Sequence, residues 1–292
     1  MGLSEIGVGT RLNFPLAGEV ELKELIRSGG SSFVYKAIDK KNNFCAVKVI
    51  RANAESDGIT QRVMNEISNP LPPSPYIIKA REHIVLETYG LNEPCVLFNY
   101  VPSREVADFL TTEIPSAKGL RRRLLAAEQM ALGLHHVHKN GFVHGDISPK
   151  NFLLDPVKDS VHLIDFETLR PVHGEKMKRL WTNKDYMAPE VDQHGPKAAS
   201  TASDVWSFGL VLIEWLAPHI WERDELDEGW AAKFNRRKKL NGVRPTSSIV
   251  KIETPKGLEE VWPWVHSALE ISISSRPNIE ELTKILRRVN DG

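Results

Sequence analysis

Strand-forming segments crowd into the first hundred residues and helix-forming segments into the rest, so the 292-residue chain is expected to be an α+β protein. Three observations carry this. Short strand-like runs at Val20–Ile26, Phe33–Ile38 and Asn43–Ile50 are separated by the turn sequences Ser28-Gly29-Gly30-Ser31-Ser32 and Asp39-Lys40-Lys41-Asn42, which predicts a small antiparallel sheet. After Leu120, the apolar positions Leu124, Ala127, Ala131 and Leu134 recur at helical spacing, and Gly141 supplies the stop. The segment from Asp204 through Leu216 is apolar on nearly every side at helical spacing and must therefore be buried.

The remaining elements follow in order. Ser56 or Asp57 can cap a helix in which Ile59, Val63, Glu66 and Ile67 share one side, which turns Glu66 inward, and Pro70 ends it. Two further strand-like runs, His83–Thr88 and Pro94–Val101, bring the expected sheet to five strands. The division falls between residues 1–101, with the sheet and one helix, and residues 102–292, which are mainly helical.

Apolar residues make up 41% and charged residues 26% of the chain, with a formal net charge of +0, which fits a globular enzyme and gives no support for nucleic-acid or membrane binding. The basic clusters Arg121-Arg122-Arg123 and Arg236-Arg237-Lys238-Lys239 are expected to be solvated helix faces, the second balanced by acidic residues between Glu222 and Glu228. His135, His136 and His138 lack a carboxylate or cysteine at ligand spacing and are expected at the surface. Cys45 and Cys95, the only cysteines, sit inside apolar runs and should be reduced and buried. No apolar stretch approaches the roughly 20 residues of a membrane span. Gly2 lacks Ser or Thr at position 6, so the myristoylation pattern fails, and with no signal peptide in view the expected location is cytoplasmic.

The chemistry concentrates between His144 and Phe166. Phe152–Leu154 and Val161–Ile164 flank the turn signal Asp155-Pro156 and predict a hairpin that brings Asn151 and Asp165 close together. A carboxylate and an amide oxygen suit a hard cation such as Mg2+, whose remaining positions phosphate oxygens and water can fill. Asp146 is then left to act as a base. Lys48, in an apolar strand, needs an anionic partner for its ammonium.

His144-Gly145-Asp146 with Asn151, followed by Asp165-Phe166-Glu167, resembles the catalytic loop and metal motif of eukaryotic-type protein kinases, with Gly145 where most carry Arg and Glu167 where they carry Gly. Ala46-Val47-Lys48 matches the lysine motif of that family, Ala188-Pro189-Glu190 its Ala-Pro-Glu motif, and Asp204-Val205-Trp206-Ser207-Phe208-Gly209 its central helix. Arg276-Pro277 matches the segment whose arginine pairs with Glu190. The turn around Gly29 resembles the glycine-rich loop, with only Gly29 at a signature position.

The resemblance implies a bilobal kinase fold with ATP and Mg2+ as cofactors and a protein as substrate. It implies ATP contacts from Ile26, Gly29, Gly30, Ser31, Val34, Ala46, Phe98, Asn99, Tyr100, Val101 and Asn151, with Lys48 on the phosphates and Glu66 as its ion-pair partner. Mg2+ would be held by Asn151 and Asp165, with Asp146 as catalytic base and Lys150 reaching the γ-phosphate or the substrate. Glu167 would add charge near the metal, binding a second cation or facing solvent. Ser148 and Lys150 depart from both the Ser/Thr and the Tyr pattern, and Tyr186 ahead of the Ala-Pro-Glu motif favours Ser/Thr.

Two rivals are a small-molecule kinase of the aminoglycoside phosphotransferase type, which lacks the motifs at Ala188, Asp204 and Arg276, and a pseudokinase scaffold, which has no chemical need for Lys48, Asp146, Asn151 and Asp165. Gly145 removes one cation of the pocket that receives an activating phosphate, so activity is expected not to depend on modification of Thr168 or Thr182, although Lys176, Lys178 and Arg179 lie nearby.

Overall fold

A computed structural model describes residues 6–29, 32–50, 56–88, 91–109, 117–173, 183–218 and 254–292. The chain divides into two compact units, one formed by Met1–Pro73, Ile78–Pro102 and Asp165–Glu167 and the other by Ser74–Ile77, Ser103–Ile164 and Thr168–Gly292.

In the first unit, six strands form one antiparallel sheet: β1 (Arg11–Phe14), β2 (Gly18–Ser28), β3 (Ser32–Asp39), β4 (Phe44–Ile50), β5 (Ala80–Thr88) and β6 (Leu91–Asn99), in the order β1-β2-β3-β4-β6-β5. The five expected strands are present and β1 is additional. Its four residues carry only one apolar alternation, Leu12 and Phe14, too short to stand out in the sequence, yet both side chains are buried. The other difference is at the end of β6, which stops at Asn99 and leaves Tyr100 and Val101 outside the strand.

Strand alternation sorts β4 into two faces. Cys45, Val47 and Val49 enter the main core of the sheet with Leu12, Leu22 and Leu97. Ala46, Lys48 and Ile50 take the opposite face. That face is covered by helix α1 (Ser56–Ile67) through a smaller cluster of Ile50, Val63 and Val96, with Ile67 and Phe98 against it. Burial of each of these aliphatic side chains is worth on the order of 2 kcal/mol. The cluster therefore fixes the helix over the face that carries Lys48, and Glu66, on the same side as Val63, is turned inward as its spacing predicts.

The second unit is built on α2 (Ala117–Lys139), α3 (Pro189–His194), α4 (Thr201–Leu216), α5 (Trp262–Ala268) and α6 (Ile279–Asp291). Short strands β7 (Arg104–Glu105), β9 (Phe152–Asp155) and β10 (Ser160–Leu163) form one ribbon, and β8 (Phe142–Val143) pairs with β11 (Arg170–Pro171). The β9–β10 register, Phe152 opposite Leu163, is the hairpin expected from the Asp155-Pro156 turn. Helix α4 starts from a capping box between Ser200 and Ser203 and is buried from Ser203 to Leu216, as its all-round apolar pattern requires. Among the described residues no helix is long and apolar enough to cross a membrane.

Two surface expectations fail here. Arg121 and Arg122 are exposed, but Arg123 is buried. It donates to the carbonyl oxygen of Trp215, its guanidinium lies 4.8 Å from the centre of that ring, and Trp215 Nε1 donates back to the Arg123 carbonyl at 2.8 Å. His136 is buried and His138 hydrogen-bonds a buried carboxylate, because both lie on faces of α2 that pack inward rather than toward water. The cluster at Arg236 and the acidic run at Glu222 lie outside the described residues.

Candidate active site

In the second unit the loop His144–Asn151 is organised from its main chain outward. Asp204, in the first turn of α4, accepts the backbone N–H of His144 at 2.8 Å on Oδ2 and that of Gly145 at 2.9 Å on Oδ1, and His138 Nε2 lies 3.0 Å from Oδ2. Burial alone would raise the Asp204 pKa, but the His138 hydrogen bond, the charges of His138 and His144 and the Gly145 amide hold it below the ordinary carboxylate value. The buried acid is thus an ionised clamp on the loop.

Gly145 is required at its position by geometry. Its φ is +84°, and a Cβ there would lie 3.0 Å from Arg170 Nη1 and 3.3 Å from the Thr168 carbonyl oxygen. Register sets this approach, because β11 places Arg170 opposite Val143, two residues before the glycine. The motif arginine has no room here. Thr168, weighed from sequence as a modification site, is buried, and its hydroxyl donates to the His144 carbonyl at 2.6 Å.

The clamped loop presents Asp146. Its Oδ1 accepts the Asn183 N–H at 2.7 Å and its Oδ2 accepts from Asn151 Nδ2 at 3.0 Å, while the same amide donates to the Asp146 carbonyl at 2.6 Å. Both of those donations use the Asn151 nitrogen, so its hard amide oxygen remains as a donor suited to Mg2+. Lys150, in the helical turn Pro149–Asn151, is exposed. Farther along, Arg276 meets Glu190 with two parallel bonds, Nη1 to Oε1 at 2.7 Å and Nη2 to Oε2 at 2.8 Å, the pairing expected from the sequence.

The first unit holds Lys48 among three carboxylates, Glu66, Asp165 and Glu167, whose oxygens lie within 4.8 Å of one another. The sequence assigned Glu66 as the partner of Lys48. That pair is the loosest of the three, at 4.0 Å, whereas Lys48 Nζ is 3.1 Å from Asp165 Oδ1 and 2.6 Å from Glu167 Oε1. Glu66 Oε2 is buried with no hydrogen-bond partner.

Glu167 does not face solvent, one of the two settings the sequence allowed; its carboxylate lies with those of Glu66 and Asp165. It is buried, its Oε2 is bound by Arg62, and its carbonyl accepts from Asn65 Nδ2 at 2.8 Å. Arg62 and Asn65, three residues apart on α1, were not singled out from sequence, although that spacing puts them on one helix face. Desolvation opposes the charge of Lys48, and Asp165, Glu167 and Glu66 together outweigh it, so its ammonium is held more firmly than an ordinary lysine. Burial, reinforced by Asp165 and Glu167 and opposed by Lys48, pushes the Glu66 pKa up.

The residues expected to contact ATP in this unit have distinct settings. Val34 sits opposite Lys48 across β3 and β4, and Ala46 opposite Phe98 across β4 and β6. Gly29 donates its N–H to the Ser32 carbonyl at 2.9 Å and closes the turn, while Gly30 and Ser31 lie outside the described residues. Ile26 is exposed, beside a shift in the register of β2 against β3 between Leu25 and Arg27. Asn99 is exposed, Val101 half-buried, and the Tyr100 ring is 5.9 Å from that of Phe44, with Lys36 Nζ 5.2 Å from its centre.

Comparison with known proteins matches the protein kinase domain family over residues 20–285. The serine/threonine-protein kinase SBK1 of Mus musculus is 35% identical over 153 residues, covering 50% of this chain and 35% of its own. The SNF1-related protein kinase catalytic subunit alpha KIN12 of Arabidopsis thaliana is 31% identical over 170 residues, 57% of this chain and 33% of its own. The phosphorylase b kinase gamma catalytic chain, liver/testis isoform, of Rattus norvegicus is 27% identical over 221 residues, 70% of this chain and 52% of its own. The chain thus spans about a third to a half of the length of these relatives. With a family match running across nearly the whole sequence, on two units that carry its motifs, the chain belongs to the protein kinase domain family.

Proposed function

We propose that the chain is an active protein kinase that transfers the γ-phosphate of Mg-ATP to a Ser or Thr hydroxyl of a protein. The observation that carries this reading is the setting of Asp146, whose two carboxylate oxygens are oriented by Asn183 and Asn151 on a loop clamped by Asp204. A carboxylate so fixed can orient a substrate hydroxyl and take its proton. Lys48 would hold the phosphates, and Asp165 and Asn151, an ionic and a neutral hard-oxygen donor, would hold Mg2+. When bound, Mg-ATP supplies the phosphoryl group and the cation that offsets its charge. Lys150, exposed in the same loop as Asp146, would meet the substrate or the phosphate being moved.

Residues 1–101 and 102–292 would then be the two lobes of one kinase domain. The name of one matched relative, a serine/threonine-protein kinase, supports Ser/Thr as acceptors, and two buried free thiols suit a cytoplasmic enzyme. The test is to incubate the chain with γ-labelled ATP, Mg2+ and a degenerate peptide library, then identify the modified residue. Phosphoserine and phosphothreonine are expected. Phosphotyrosine alone would overturn the acceptor assignment, and nucleotide binding without transfer would favour a scaffold.

A further inference from the structure

We infer that Glu167 is a positioning residue for Lys48, linking it to helix α1 through Arg62 by a shorter contact than the Lys48–Glu66 pair. The inference rests on the reading of Lys48 as the phosphate-binding lysine and adds a residue that the family pattern, with glycine at this position, does not supply.

Distances rank the partners of the lysine. Glu167 Oε1 at 2.6 Å is within charge-assisted hydrogen-bonding range, and Glu66 at 4.0 Å is an ion pair without a hydrogen bond. At close range in a buried site the interaction falls with distance and with loss of the hydrogen bond, so Glu167 outweighs Glu66. Both side chains are buried, at 3% and 1% exposure, so neither pair is screened away by water.

Glu167 is itself held from two sides. Its second carboxylate oxygen takes Arg62, and its carbonyl takes Asn65, so α1 grips it by side chain and main chain together. The carboxylate therefore bridges two cations, Lys48 on β4 and Arg62 on α1. Glu66 lacks such a bridge: its Oε2 is buried without a hydrogen-bond partner. Any movement of α1 would reach Lys48 first through Arg62 and Glu167. A glycine at this position would leave Lys48 to Asp165 and the longer contact with Glu66.

The test compares Glu167→Gln, Glu167→Asp and Glu66→Gln in the full chain by two readouts. The first is the rate at which trinitrobenzenesulfonate modifies Lys48 at one fixed pH, followed by peptide mass spectrometry, which needs no phosphotransfer. Loss of the carboxylate at 2.6 Å frees the lysine from its shortest contact, so Glu167→Gln should speed modification about tenfold. Glu66→Gln should do so less, and Glu167→Asp should fall back toward wild type. The second is steady-state kinetics in ATP: kcat/KM should fall about tenfold or more in Glu167→Gln, by a smaller factor in Glu66→Gln, and partly recover in Glu167→Asp.

If Glu167→Gln melts below the assay temperature, Arg62→Gln carries the same test, since it removes the anchor and leaves all three carboxylates. A larger effect from Glu66→Gln than from Glu167→Gln in the labelling assay overturns the inference whether or not the wild type transfers phosphate. The expected labelling order in a wild type that transfers none sustains the inference and sinks the kinase reading instead.

Discussion

Two charged centres of this chain are solved in opposite ways. In the second unit two buried carboxylates are fully matched: Asp204 is met by two backbone amides and His138, and Glu190 by a two-bond contact with Arg276. In the first unit three carboxylates, Glu66, Asp165 and Glu167, share the cations Lys48 and Arg62, and one buried oxygen of Glu66 has no hydrogen bond. Matched charges with backbone donors have one arrangement of low energy and make a rigid scaffold. A surplus of carboxylates around one ammonium has several arrangements that differ by small shifts, because any of them can accept the lysine. On the proposed function, the second unit is thereby suited to fixing a base, and the first to holding a cation that would also meet phosphate.

The sharpest way to break the rigid half is at its best-matched pair. Arg276→Ala would leave Glu190 buried and uncompensated and would also remove the donors to the carbonyls of Ala202 and Glu270. A loss of about 3–5 kcal/mol is expected, enough to unfold a marginal domain, and denaturant titration would measure it. Retention of wild-type stability would show that the pair is not a scaffold element.

At the base itself, the fold should survive and the chemistry should not. Asp146→Asn keeps the shape of the side chain and loses proton acceptance, so turnover should fall on the order of 100-fold or more with nucleotide affinity nearly unchanged. Asp165→Asn, in the surplus centre, should weaken Mg-ATP instead. Single-turnover rates beside nucleotide titrations separate the two outcomes. Wild-type turnover in Asp146→Asn would remove the proposed mechanism.

Most of the second unit was legible in the sequence, and the reason is local. Motif spacing specifies Asp204, Glu190 and Arg276, and each lands on the partner its motif implies. The first unit was legible as a sheet, a helix and the Lys48–Glu66 pair, but the closer partner of Lys48 was not. Whether Glu66 or Glu167 lies nearer depends on a difference of about an ångström between side chains more than a hundred residues apart, which no periodicity encodes. Likewise the burial of Arg123, His136 and His138 depends on which helix faces meet, and Arg170 filling the space beside Gly145 depends on the β8–β11 register.

Restoring the family arginine tests that last point. Gly145→Arg would put a side chain at φ +84°, costing about 1–2 kcal/mol in the left-handed region, and would press it against Arg170. Lower stability and lower activity are expected, measured by thermal melting and initial rates, although the change moves the sequence toward the family pattern. A gain in activity would mean that the loop relaxes and that Arg170 does not occupy the place.

The smallest effect is expected from removing phosphate. Gly145 contributes no cation to a phosphate pocket, and Arg170 beside it is buried, so an unmodified activation segment meets little repulsion there that a phosphate would relieve. Thr168 does not serve as the acceptor in this fold, because its hydroxyl is buried and bonded to the His144 carbonyl, while Thr182 lies outside the described residues. Thr168→Val should cost about 1 kcal/mol of stability through the lost hydrogen bond and no dependence on modification. Phosphatase treatment of the wild type and the Thr182→Val variant should each keep initial rates within about tenfold of the untreated enzyme, ~1.4 kcal/mol in barrier terms. A greater loss in both, restored in the wild type by rephosphorylation, would show that cations such as Lys176, Lys178 and Arg179 form the pocket that the catalytic loop lacks.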